Sequence, residues 1–405
     1  MVNFDETAIN AVHQETGFDQ FYIEKVLRLL AILKTFFSHP ALKDKYVLKG
    51  GTALNLFYFD LPRLSVDIDL NYLGLDRESM LKERGEHEEI LRSILTGAGY
   101  ELKRIPEEHA GGKWRLRYES FAGITQNIEL DINYMHRVAL MPVCRRTSFP
   151  LGAFSVSDIP VLDIHELAAG KLCALIARCK PRDLFDACRL LNDGNLDVPT
   201  LRRCFIVYAA FNKMDFSAVT GLGELPFTAQ QFRQELMETL SGEEKKASPE
   251  EYLEHLLASC RERIGAVLPF SEAERTFLDA VNHRGEIKPE LLSDSEEWCR
   301  CIALHPMLQW KVLNVRKHFG LWLDIFRLFD RFMQKTTLFL QRGHSVSKKA
   351  LIFSNCQSGM ISILRSSCRR RSSSVLLMAF ISARLMKSGS LERYFSLASR
   401  SAWAW

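Results

Sequence analysis

The sequence predicts an α/β domain on a mixed sheet, followed by an all-α domain. Three patterns lead there. Up to about residue 160, short apolar runs ended by turn residues alternate with stretches of helical spacing. Within them, Ile128, Leu130 and Ile132 alternate with Glu129, Asp131 and Asn133, the period-two signature of a strand with one buried face. From His165 to about Gly320 nearly every segment has helical spacing, broken at Pro181, Asp193-Gly194, Pro226, Gly242, Pro249, Pro269, Gly285 and Pro289. The expected division is residues 1–160 as an α/β domain with an N-terminal helix, 161–320 as a helical domain, and 321–405 as a tail.

In chain order, Phe21, Val26, Leu29, Leu30, Leu33, Phe36 and Phe37 predict one long helix over residues 19–39. Tyr46-Val47-Leu48 reads as a short strand ended by glycines, with a helix from Thr52 to Phe59 and a strand from Ser65 to Tyr72. Arg77 to Ala98 is charged and helical, closed by Gly97 and Gly99. Tyr100 to Ile105, Trp114 to Phe121 and Asn127 to Tyr134 read as strands, Pro142 to Asp158 as a loop.

The net charge of +4 hides an uneven distribution. Residues 321–405 hold 14 Lys/Arg, three acids, 16 serines and no proline, whereas residues 1–320 hold 39 Lys/Arg against 46 Asp/Glu. The body is mildly acidic, so any basic nucleic-acid surface on it must be local. The tail, with Cys368-Arg-Arg-Arg-Ser-Ser-Ser374, is expected to be poorly ordered, the other reading being a basic arm that grips RNA phosphates. Ten scattered cysteines, with only Cys299 and Cys301 close together, form neither a zinc pattern nor a disulfide framework. No signal peptide and no apolar run of about 18 residues is present, so a cytoplasmic protein with no membrane partner is expected.

Two segments read together as one site. Gly50-Gly51 follows a strand and precedes a helix, so its backbone can approach an anion closely. The Gly-Lys-Ser/Thr ending of a Walker loop is absent. Asp67 and Asp69 lie two apart in an apolar strand and share a face, a repulsive arrangement that a cation relieves. Hard carboxylate oxygens suit Mg²⁺, whose shell is completed by substrate phosphates, and Asp131 on a separate strand is the candidate third ligand. Three such carboxylates suffice for two Mg²⁺ ions, one at the attacking hydroxyl and one at the leaving pyrophosphate of a nucleoside triphosphate. His87, His109, His136 and His165 lack metal-site spacing, and Trp298, Trp310 and Trp322 read as core residues.

Four segments resemble the AbiEii/AbiGii toxin family of nucleotidyltransferases, within the DNA polymerase β-like superfamily: Leu48 to Leu54, Arg63 to Leu70, His165 to Leu172 and Arg178 to Asp186. The resemblance implies that Gly50, Gly51 and Ser65 contact the triphosphate and that Asp67 and Asp69 ligate metal, with Asp131 matching the superfamily's third acid. It further implies that Lys171 and Arg182 bind the nucleotide and that Lys171 and Asp183 serve catalysis. Cys173 departs from relatives that carry an acid there. Lys171 and Arg178, seven residues apart, share a helix face. A purely structural reading of Arg182, Asp183 and Asp186 is an ion-pair network tying down a helix. The implied function is Mg²⁺-dependent transfer of an NMP to an acceptor hydroxyl, on the tRNA acceptor end, by the toxin of a toxin–antitoxin or phage-defence pair with a separate antitoxin regulator. Two other classes stay open: modification of an antibiotic-like small molecule or a protein at the same site, and a non-catalytic nucleotide-binding protein.

Overall fold

A computed structural model describes residues 4–320 apart from 75, 109, 224, 225, 227, 243 and 247. The basic tail, His109 and Trp322 lie outside the described residues. The chain runs α1 (Glu6–Thr16), α2 (Gln20–Ser38), β1 (Tyr46–Lys49), α3 (Gly50–Ala53), a π-turn over Leu54–Tyr58, β2 (Asp67–Tyr72), α4 (Arg77–Gly97), β3 (Glu101–Arg104), β4 (Gly111–Glu119), β5 (Thr125–Asn133), β6 (Cys144–Arg146) and β7 (Ile159–Val161). Helices follow: α5 (Ile164–Arg178), α6 (Pro181–Asp193), α7 (Val198–Ala210), α8 (Ala229–Glu235), α9 (Pro249–Arg263), α10 (Glu272–Asp279), α11 (Glu296–Leu304) and α12 (Pro306–His318). No helix among the described residues is long and apolar enough to cross a membrane.

The seven strands form one mixed sheet in the order β3-β4-β5-β2-β1-β7-β6. The pairs β2/β5 and β1/β7 are parallel and the rest antiparallel. Ile68, Leu70, Ile128, Leu130, Ile132, Trp114 and Leu116 turn one face of β2, β5 and β4 into a core shared with α2 and α4. The alternate residues, Asp67, Asp69, Glu129, Asp131, Lys113 and Arg115, therefore share the other face. A second apolar cluster fills the helices from α5 to α12, and the described residues up to Arg316 form one compact unit.

Several elements differ from expectation for local reasons. Helix α1 was not expected, because it buries only Ile9 and Val12; Asp5 caps it by accepting from the Thr7 N–H, and Gly17 ends it at φ 69°. The helix after β1 starts at Gly50 rather than Thr52. The strand expected from Ser65 starts at Asp67, leaving Ser65 in the approach to it. The stretch expected as a loop contains β6, a three-residue edge strand with no apolar alternation, held by pairing with β7.

Candidate active site

Strand β1 ends at Lys49, and Gly50 turns the chain into α3 with φ 74°. A Cβ on Gly50 would lie 2.2 Å from Asp69 Oδ2, so both the backbone conformation and the space require glycine. A Cβ on Gly51 would lie 2.8 Å from Ser65 Oγ, 2.9 Å from Arg63 Nη2 and 3.7 Å from Lys171 Nζ. The glycine turn, the approach to β2 and helix α5 thus converge on one point. Thr52 Oγ1 secures the junction by donating to Asp67 O (2.5 Å) and accepting from the Ser65 hydroxyl (3.1 Å).

The register draws the carboxylates into a line. Lys49 pairs with Asp69 across β1/β2, Asp69 with Asp131 across β2/β5, and Asp131 with Lys113 across β5/β4. Asp67 lies in the adjacent row, opposite Glu129. Burial raises the Asp67 carboxyl above the usual range, Asp69 adds to this, and Arg182 and Lys113 oppose it. Burial also raises Asp131, with Lys49 and Lys113 opposing and Asp69 and Glu129 reinforcing the rise. Lys25, on α2, carries no ion pair among the described residues; burial lowers its pKa and Asp67 acts against that fall. A cavity of about 410 Å³ beside it is lined by Asp19, Phe21, Tyr22, Lys25, Gln126, Glu238 and Lys245 and takes in none of Asp67, Asp69 and Asp131.

Behind the glycine turn lies an ion network built around two buried carboxylates. Arg63 grips Asp186 with two prongs, Nε to Oδ1 at 2.8 Å and Nη2 to Oδ2 at 2.7 Å. Lys171 Nζ lies 2.7 Å from Asp186 Oδ2 and 3.3 Å from Asp183 Oδ1. Arg178 clasps Asp183, Nε to Oδ2 at 2.6 Å and Nη2 to Oδ1 at 2.9 Å. Asn55 Nδ2 donates to Gly51 O (2.9 Å) and to Asp186 Oδ1 (3.1 Å), tying the network to the glycine turn. The α5–α6 link makes this possible. Cys179 adopts a left-handed conformation (φ 49°) and Pro181 opens α6, so Arg178 and Asp183 face each other across a tight corner. Burial opposes ionisation of Asp186, but Arg63 and Lys171 outweigh it and hold its carboxyl far below the usual range.

The structure brings together Gly50 with Asp69, Gly51 with Ser65 and Lys171, Asp69 with Asp131, and Lys171 with Asp183. Arg182 is outside the ion network, in electrostatic reach of Asp67 and Tyr22. The network read as Arg182-Asp183-Asp186 is instead Arg63, Lys171 and Arg178 around Asp183 and Asp186. Sequence reasoning had not singled out Arg63, Asn55, Lys25, Lys49 or Lys113 as site residues. Lys49 and Arg63 stand inside the quoted motifs, and Lys113 begins the polar alternation of β4; Asn55 and Lys25 carry no local signal.

Among the described residues no group of three or more His, Cys, Asp or Glu forms a ready-made metal cage. Asp67, Asp69 and Asp131 instead offer hard oxygens side by side on one face, and their mutual repulsion favours a cation there. This donor set fits Mg²⁺, which commonly takes one or two carboxylates and completes its shell with substrate phosphates and water. The chemistry the face can perform is therefore metal-assisted work on a phosphate ester, with cations from α2, α5, α6, β1 and β4 around it.

The chain is similar in fold to MenT4, a nucleotidyltransferase toxin from Mycobacterium tuberculosis H37Rv, at 16% identity and a TM-score of 0.50, over 77% of this chain and 99% of that one. At that identity the likeness speaks to fold alone. No curated protein matches the chain. Residues 31–276 match the family model of the nucleotidyl transferase AbiEii toxin of type IV toxin–antitoxin systems, a span that holds both sheet carboxylate strands and the Lys171–Asp186 network. The chain belongs to the AbiEii family of nucleotidyltransferase toxins.

Proposed function

We infer that the protein transfers a nucleoside monophosphate from an NTP to a hydroxyl at the acceptor end of tRNA, with Mg²⁺, as a cytoplasmic toxin restrained by a separate antitoxin regulator and acting in phage defence. The observation that carries the transfer chemistry is the row Lys49-Asp69-Asp131-Lys113, set beside a glycine turn that admits nothing larger. In this reading Asp67 and Asp69, with Asp131, would hold two Mg²⁺ ions, which stabilise negative charge on the attacking and leaving oxygens.

The chain's own groups do the rest. Gly50, Gly51 and Ser65 receive the triphosphate. Lys171 spends two of its three donors on Asp183 and Asp186, which leaves the third for a phosphate oxygen beside Gly51. Asp183 is 1% exposed with both oxygens taken by Lys171 and Arg178, so it acts by positioning those cations rather than by touching substrate. Arg182 meets the polyphosphate near Asp67. The acceptor oxygen bonds to the α-phosphorus, the bond to pyrophosphate breaks, and the hydroxyl proton passes to solvent.

The test is incubation with each of the four α-labelled NTPs, Mg²⁺ and total tRNA. Label on tRNA with at least one nucleotide is expected. Label only on protein or on a small hydroxyl compound would replace the acceptor in this reading, and no transfer with any acceptor would end it.

A further inference from the structure

Strand β4 has two unlike faces. Trp114, Leu116 and Tyr118 enter the core, while Lys113, Arg115 and Arg117 project from the face that carries Asp67, Asp69 and Asp131. The row starts beside the carboxylates, since Lys113 pairs with Asp131. Arg115 pairs with Glu129, the residue opposite Asp67, and Arg117, paired with Asn127, carries the row beyond the carboxylates. Alternate residues of a strand stand about 7 Å apart, which presents evenly spaced cations to an extended polyanion.

These side chains are open to solvent, at 51%, 53% and 44% exposure for Lys113, Arg115 and Arg117. Their present partners are few. Glu129 serves both Lys113 (2.6 Å) and Arg115 (3.1 Å), and Glu101 serves both Arg117 and Lys103. Four cations thus share two carboxylates, and such exposed pairs are weak enough to exchange for phosphate. The excess is local, because residues 1–320 as a whole carry more acids than bases.

We propose that Lys113, Arg115 and Arg117 form a track for the phosphate backbone of a polynucleotide acceptor, leading its terminal hydroxyl to the carboxylate row. Contacts of this kind fix position without reading sequence. The proposal rests on the RNA-acceptor reading above and gives it a surface.

The test compares the full chain with Arg115→Glu/Arg117→Glu and with the milder Arg115→Gln/Arg117→Gln. Binding of fluorescein-labelled deacylated tRNA is measured across a salt series, and binding of Mg²⁺–NTP by calorimetry. Both variants are expected to bind NTP as the parent does. The charge reversal should weaken tRNA binding at least about tenfold, and in both variants the plot of log affinity against log salt should be shallower by about 1.5. Unchanged tRNA affinity and slope in both variants, with label still passing to tRNA in the parent, would remove the track and leave the RNA reading intact. Loss of NTP binding in both variants would place the row in the nucleotide site and overturn the proposal. A parent that binds no tRNA and instead labels a protein or a small compound would overturn the track together with the RNA reading.

Discussion

Arg63 and Asp186, 123 residues apart in the chain, meet in a buried two-pronged ion pair that joins the approach to β2 to the first turns of α6. Asp186 also holds Lys171 at 2.7 Å, so one fully buried carboxylate pairs with two cations. Removing it strands both. Asp186→Ala should therefore destabilise the protein by about 3–5 kcal/mol, read as a lower midpoint in urea unfolding. The network is structural, and a variant with unchanged stability would contradict that.

Gly50 makes the next case. Alanine there must accept φ 74° and place its Cβ 2.2 Å from Asp69 Oδ2. The backbone cost alone is about 1 kcal/mol, and the larger effect should be displacement of Asp69. Gly50→Ala is expected to keep a folded chain by circular dichroism while losing most nucleotidyl transfer.

A third prediction concerns pH. Glu166 is buried on α5, where its Oε2 accepts the Leu140 (2.9 Å) and Met141 (3.1 Å) N–H groups and its Oε1 accepts the Tyr208 hydroxyl (3.1 Å). Burial pushes its carboxyl up from 4.5 to about 7, against the pull of those three donors. The folded protein therefore holds a proton on Glu166 that the unfolded chain releases. The resulting stabilisation is full below about pH 4.5 and is lost as pH rises to about 7, on the order of 3 kcal/mol in all. Glu166→Gln keeps the neutral form at every pH. Unfolding free energies of the two proteins should diverge in favour of the variant as pH rises through that window, and parallel profiles would refute the assignment.

Most of the sheet was legible because its strands obey simple alternation. Ile128, Leu130 and Ile132 read as β5, and Asp67 with Asp69 read as neighbours on one face, directly from period two. Elements that lean on tertiary pairing were not legible: β6 has no apolar face of its own, and α1 buries two residues. The site followed the same division. Gly50, Gly51, Asp67, Asp69 and Lys171 sit in compact motifs. The Arg63–Asp186 pair depends on a contact across 123 residues that no local pattern encodes, and where the structural reading placed Arg182 beside Asp183, the Cys179 corner turns Arg178 onto it instead.

If the carboxylate face of β2 carries the transfer, Asp69→Asn should cripple it. The substitution keeps the shape beside Gly50 and removes one negative charge. Transfer from α-labelled NTP to tRNA in the presence of Mg²⁺ should fall at least about a hundredfold, since metal-assisted charge stabilisation is worth several kcal/mol, with thermal stability unchanged or raised. Transfer at the parent rate by a folded Asp69→Asn protein would rule that face out as the site of transfer.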